Sequence, residues 1–230
     1  MKKEFEKRIL SSLIIIPTAL FFIIKGSVFF TFFICMFFLA TSYEWIKMNK
    51  KDLIKLLGII YLLLASYSAY SLREIFDEYL FLLIIVICIF TDLGGYIFGK
   101  IFKGPKLTKI SPNKTYSGVV GSFVLSVIAS SIYSQYIFSL DDVKTFFFLI
   151  NIEKLNSPIF ILIVLFISAV SQIGDLIISY FKRMAKIKDT GKLLPGHGGF
   201  LDRTDGIIFA IPVSYILFNY LSKKKKKLLY

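Results

Sequence analysis

Seven apolar segments, each near the length of a bilayer crossing, dominate this chain. They run Ile9–Ile24, Val28–Trp45, Leu53–Ser71, Tyr79–Phe98, Ser117–Phe138, Ser157–Phe181 and Gly206–Leu221. A helix needs about 20 such residues to cross hydrocarbon, within a range of roughly 17–25. The first and last segments are short, and need local thinning or anchoring flanks. The expected fold is therefore all-α: a polytopic integral membrane helical bundle of about 7–8 transmembrane helices with active-site loops on the cytoplasmic side. Composition agrees, with 56% of the 230 residues hydrophobic and 19% charged, against about 45–50% and 25% in soluble domains. The net charge of +13 would suit a nucleic-acid binder, but apolar runs this long exceed what a core of this size can bury. Nucleic acid is excluded as a partner. Cys35 and Cys88 each lie inside an apolar run and read as small hydrophobes, not as a disulfide or thiolate site.

The basic residues give the orientation, because cytoplasmic loops carry the excess of Lys and Arg. Lys2, Lys3, Lys7 and Arg8 precede the first segment, and Lys47, Lys50, Lys51 and Lys55 lie between the second and third. Lys100, Lys103, Lys106, Lys109 and Lys114 follow the fourth; Lys182, Arg183, Lys186, Lys188, Lys192 and Arg203 follow the sixth. Alternating crossings place all of these on one side, while the opposite loops hold only Lys25, Arg73, Lys144 and Lys154 among several acids. The location expected is a bacterial inner membrane, with the active site facing the cytoplasm. Seven crossings would leave the Lys223–Lys227 run on the wrong side, so either Val143–Asn151 hides a short further span or the last segment does not fully cross.

An ionisable residue within a membrane segment is costly and marks function by default. Asp92 and Asp175 are two such carboxylates. Ser171, Asp175, Ser179 and Lys182 recur at helical spacing and share one face. The plainer reading, a polar stripe joining helices, competes with a water-filled cavity, which the acid and base together favour. The loop beyond is denser: Lys182-Arg183, Lys188-Asp189, Pro195-Gly196-His197-Gly198-Gly199 and Asp202-Arg203-Thr204-Asp205. Its glycines permit positive φ and let backbone N–H groups converge on an anion. Asp202 and Asp205, three apart at the start of the last helix, can face one hard cation. Bases beside a carboxylate cluster are what phosphoryl transfer with Mg²⁺ requires. The alternative is a solvated basic loop ending in an Asp cap. Upstream, Ser111-Pro112-Asn113-Lys114-Thr115 reads as a helix start at Ser117, with Lys114 and Thr115 beside the anion-favouring N-terminus.

Ser179-x-x-Lys182-Arg183, Lys188-Asp189, Pro195-Gly196-His197-Gly198-Gly199 and Asp202-Arg203-x-Asp205, in that order, resemble the signature of the phosphatidate cytidylyltransferases. Ser171-x-x-Gly174-Asp175-Leu176 and Ser111-Pro112-x-Lys114-Thr115 resemble further elements of that family. The likeness runs over about Asp92–Asp205 and is only general hydrophobicity before that. It implies a multi-pass enzyme condensing CTP with phosphatidic acid to CDP-diacylglycerol and pyrophosphate, with Mg²⁺ and an assisting monovalent cation such as K⁺. By position, Asp175, Asp202 and Asp205 would be the metal-holding acids, and these with Lys182 the catalytic set. Arg183, Lys188 and His197 would handle phosphate charge. Ser111, Lys114, Thr115, Ser179, Asp189, Gly198, Gly199 and Arg203 would complete the substrate site. The partners implied are CTP, phosphatidic acid and the lipid bilayer, with a homodimer as the assembly. Residues 1–90 would be an N-terminal transmembrane segment and 91–230 the catalytic transmembrane domain. A transporter of a phosphorylated solute is the alternative from another class. The DG-x-x-AR run of a CDP-alcohol phosphotransferase does not occur.

Overall fold

The computed structural model describes residues 2–108, 110–138, 158–194, 196 and 198–228. Among them are seven α-helices: α1 (Lys2–Lys25), α2 (Ser27–Met48), α3 (Asp52–Ile75), α4 (Glu78–Phe102), α5 (Tyr116–Phe138), α6 (Pro158–Met184) and α7 (Leu201–Leu228). The only β-type pairings among these residues are isolated bridges, Lys106 with Thr115 and Leu194 with Gly198. The chain is all-α, as expected. Helices α2 to α7 are long and apolar enough to cross a membrane, whereas the apolar stretch of α1, Leu13–Lys25, is shorter. Leu53, Leu56, Leu57, Ile60, Leu63 and Leu64 of α3 are all exposed. Water-facing proteins rarely show so continuous an apolar face; here lipid covers it. Val143–Asn151, the site of the conjectured extra span, lies outside the described residues.

Two compact units form, Met1–Glu78 with Ile177–Asp205, and Tyr79–Leu176 with Gly206–Tyr230. Helices α6 and α7 each contribute to both units.

In the first unit Arg73 ties the turn between α1 and α2. Its Nε donates to the Ile23 carbonyl at 3.1 Å and its Nη2 to the Ile24 carbonyl at 3.2 Å, filling acceptors that a helix C-terminus leaves open. Glu74 does the converse for α2, accepting from the Ser27 N–H at 3.2 Å and from Arg73 at 3.1 Å. Gly26 makes the turn at φ +62, and a Cβ there would run into the guanidinium. Arg73→Ala leaves these helix-end carbonyls without their donor, one part-buried and one exposed, at a cost of about 0.5–1.5 kcal/mol. A lower unfolding temperature in detergent, followed by circular dichroism, is the expected result.

In the second unit α4 and α5 approach through glycines. A Cβ on Gly94 would land on the Gly121 carbonyl, and one on Gly118 would lie 2.8 Å from the Gly95 carbonyl. Small residues at a crossing let backbones meet where no hydrophobic effect drives association. Polar side chains finish the contact: Ser122 Oγ donates to the Thr91 carbonyl at 2.7 Å, and Thr91 Oγ1 lies 2.8 Å from Ser168 Oγ of α6. All three residues are buried.

Candidate active site

The last turn of α6 sets the first element. The Ile187 N–H bonds to the Lys182 carbonyl and the Lys186 N–H to the Arg183 carbonyl, both at 3.0 Å, with Lys186 at φ 57. This is the Schellman ending of a helix, and it turns the chain at Lys186, just past the end of α6. The Lys182 ammonium lies 2.9 Å from Asp202 Oδ1 and 4.0 Å from Asp205 Oδ2. Both partners sit in the first turns of α7, three residues apart, so they share a face. The Lys182 and Asp202 side chains are only 12% and 8% exposed, which makes this a mostly desolvated pair.

Asp202 also works on the loop before it. Its Oδ2 accepts from the Thr190 N–H at 2.7 Å and from the Gly199 N–H at 3.0 Å. A carboxylate has about four acceptor positions, and these contacts with Lys182 use three. A second carboxylate meets the same loop: Glu44 of α2, 1% exposed. Its Oε1 accepts from the Phe200 N–H at 2.9 Å; its Oε2 accepts from the Leu201 N–H at 2.8 Å and the Thr190 hydroxyl at 2.9 Å. Trp45 meets Phe181 edge-on at 4.9 Å and Phe37 meets Phe200 at 5.7 Å, holding α2 against both ends of this segment.

Four backbone N–H groups of the loop therefore converge on the chain's own anions. Those of Thr190, Gly199, Phe200 and Leu201 go to Asp202 or Glu44, and that of Leu194 goes to the Gly198 carbonyl. Of the glycine amides expected to converge on an anion, that of Gly199 ends on Asp202. Glycine is required here for space as well as for φ. Gly196 and Gly198 have φ of +77 and +87. A Cβ on Gly199 would press on Thr190 Oγ1 and Glu44 Oε2, and one on Gly191 would come 2.6 Å from Glu44 Oε1. Lys188, Asp189, Arg183 and Arg203 are exposed around the segment, and Ser179 is buried one turn before Lys182. His197 lies outside the described residues.

The second unit holds the remaining candidates. Lys114 pairs with Asp175 of α6, the two side chains 26% and 23% exposed. Lys114 is presented by a short turn: the Leu107 N–H donates to the Lys114 carbonyl at 2.8 Å, and the Lys114 N–H to the Ser111 carbonyl at 3.0 Å. Thr115 has a local task as well, since its Oγ1 accepts from the Gly118 N–H at 3.1 Å, an N-cap for α5. Asp92 is exposed on α4.

Among the described residues no three His, Cys, Asp or Glu side chains gather as one metal-binding group. Mg²⁺ does not need three: one or two carboxylates with substrate phosphates and water hold it ordinarily. Asp202 and Asp205, with oxygen donors turned toward one cationic group, fit that chemistry, and the cation beside them is the Lys182 ammonium.

The family model of the cytidylyltransferases matches residues 52–221. The chain belongs to the cytidylyltransferase family. Among relatives, the phosphatidate cytidylyltransferase of Staphylococcus haemolyticus is 34% identical over 189 residues, covering 80% of this chain and 67% of that protein. Those of Rickettsia felis and Rickettsia conorii are 31% and 32% identical over 94% and 96% of this chain, and over 93% and 94% of their own lengths. The resemblance read from the motifs is borne out. As a cytidylyltransferase the protein is a multi-pass membrane nucleotidyltransferase, and the transporter alternative falls. The family match contains Lys114, Asp175, Lys182, Asp202 and Asp205 but begins after Glu44. Glu44 and Thr190 are the residues that sequence reasoning passed over. The signal for Glu44 was there, a carboxylate near the end of the apolar run Val28–Trp45, the criterion that singled out Asp92 and Asp175.

Proposed function

We propose that this cytidylyltransferase family member is a phosphatidate cytidylyltransferase, joining CTP to phosphatidic acid in the cell membrane with its polar loops on the cytoplasmic side. The observation that carries the reading is the Lys182 ammonium between Asp202 and Asp205, inside the family match. The one-sided distribution of basic loop residues supports the orientation. A phosphatidate oxygen attacks the α-phosphorus of CTP, the new P–O bond forms, and the bond to the β-phosphate oxygen breaks to release pyrophosphate. Phosphatidate is already an anion at neutral pH, so no protein nucleophile is needed; alignment and charge neutralisation are the main tasks.

Lys182 is fixed by its two carboxylates and supplies one positive charge at a set point. Arg183, Lys188, Arg203 and His197 neutralise triphosphate and lipid phosphate oxygens, the guanidinium groups in the bidentate manner open to them. Asp202 and Asp205 would hold Mg²⁺, whose chemistry is to withdraw charge from phosphate oxygens and ease the departure of pyrophosphate. Asp175, Lys114, Ser111 and Thr115 are proposed to serve the same reaction from the second polar cluster. K⁺ is proposed to assist, on the resemblance alone.

The test is transfer of label from α-labelled CTP into lipid, using chain purified in micelles containing phosphatidic acid, with and without Mg²⁺. Lipid labelling that requires Mg²⁺, releases pyrophosphate and is lost in Asp202→Asn is expected. Absence of labelling by folded protein with CTP intact overturns the reading.

A further inference from the structure

We propose that Glu44 is a positioning residue for the substrate loop: a buried, built-in anion that occupies the N-terminus of α7. This rests on the proposed reaction for its consequence, though not for its geometry. A helix N-terminus carries partial positive charge and unsatisfied N–H groups, and so draws an anion. In a phosphate-handling site that anion is expected to be substrate. Here the Phe200 and Leu201 amides both end on Glu44, which closes that position to any ligand.

Glu44 reaches the segment at both ends. Through Thr190 Oγ1 it holds the residue that follows Lys188-Asp189, and through Phe200 and Leu201 it holds the start of the helix carrying Asp202 and Asp205. Thr190 is the shared member, giving its hydroxyl to Glu44 and its N–H to Asp202. Gly191 and Gly199 leave room for the carboxylate, because a Cβ at either would collide with it. A carboxylate can accept at both of its oxygens. An amide in its place would turn an NH₂ toward at least one of the three donors. Among the described residues Glu44 bonds to Thr190, Phe200 and Leu201, so it acts through the loop.

The experiment compares Glu44→Gln and Thr190→Val with the unaltered chain by two readouts. One is hydrogen–deuterium exchange of the segment 190–203; the other is kcat/KM for CTP, corrected for the folded fraction. Glu44→Gln is expected to speed exchange across 190–203 by tenfold or more. It is also expected to lower kcat/KM by about 10- to 100-fold, the scale of losing an outer contact that orients reacting groups. Thr190→Val, which keeps the shape and removes one bond, should show a smaller loss of the same kind. The double variant should be no worse than Glu44→Gln alone, since both break one network. If exchange rises while kcat/KM of the folded enzyme is unchanged, Glu44 is only structural and the proposal fails. It fails equally if neither readout moves. If Glu44→Gln does not fold, Thr190→Val decides by the same two readouts. If the unaltered chain transfers no label from CTP, the proposed reaction is at fault, and the exchange readout alone still decides whether Glu44 anchors the loop.

Discussion

Lys182→Met is expected to reduce cytidylyl transfer by about 10²–10³-fold, the usual cost of deleting one fixed charge stabiliser from a transition state. The same substitution should lower stability. Lys182 is mostly buried against Asp202 and within 4.0 Å of Asp205. Removing one partner of such a pair strands the other's charge, which costs about 3–5 kcal/mol. The two losses separate when transfer is read per folded molecule. Thermal unfolding in detergent and lipid labelling from α-labelled CTP read the two quantities. If the folded fraction of Lys182→Met transfers label at the unaltered rate, the ammonium serves the fold alone, and the charge role assigned to Lys182 is wrong.

The membrane architecture was legible in the sequence because apolar length is the signal that lipid imposes. Each of the six long spans falls close to the segment expected from hydropathy. The local geometry around Asp202 was legible too, because three-residue spacing at a helix start puts Asp202 and Asp205 on one face whatever surrounds them. What could not be read was which group answers which. The glycines at 196, 198 and 199 promise convergent amides, but the Gly199 amide ends on Asp202, and the Phe200 and Leu201 amides beside it end on Glu44, 156 and 157 residues away in sequence. No local pattern encodes that distance. Thr115 shows a different ambiguity. A hydroxyl just before a helix looks alike whether it caps the helix or touches a ligand, and only the bond to the Gly118 N–H shows the capping. Carboxylates in apolar runs were a mixed guide. Asp92 is exposed, Asp175 has an ion-pair partner, and Glu44, which drew no notice, is the most deeply buried of the three.

Asp175→Asn is expected to have the second-largest effect, and Lys114 shows how to interpret it. The pair is about one-quarter exposed on each side, so solvent screens it in part, and its rupture should cost less stability than loss of Lys182. If Asp175 and Lys114 act in the reaction as one unit, their losses will not add. Asp175→Asn and Lys114→Met should each lower kcat by about 10²-fold, and the double variant should fall little further, as residues acting together do. A merely structural ion pair makes a different forecast. Each single substitution would then lower the unfolding temperature, the double variant would recover part of it, and kcat per folded molecule would stay near its original value. Coupling energies from the two cycles, one on kcat and one on unfolding, decide between these outcomes. Substantial coupling in kcat with little in unfolding assigns the pair to the chemistry; the reverse makes it a tie between the Lys114 turn and α6, leaving the Lys182 cluster to carry the charge alone.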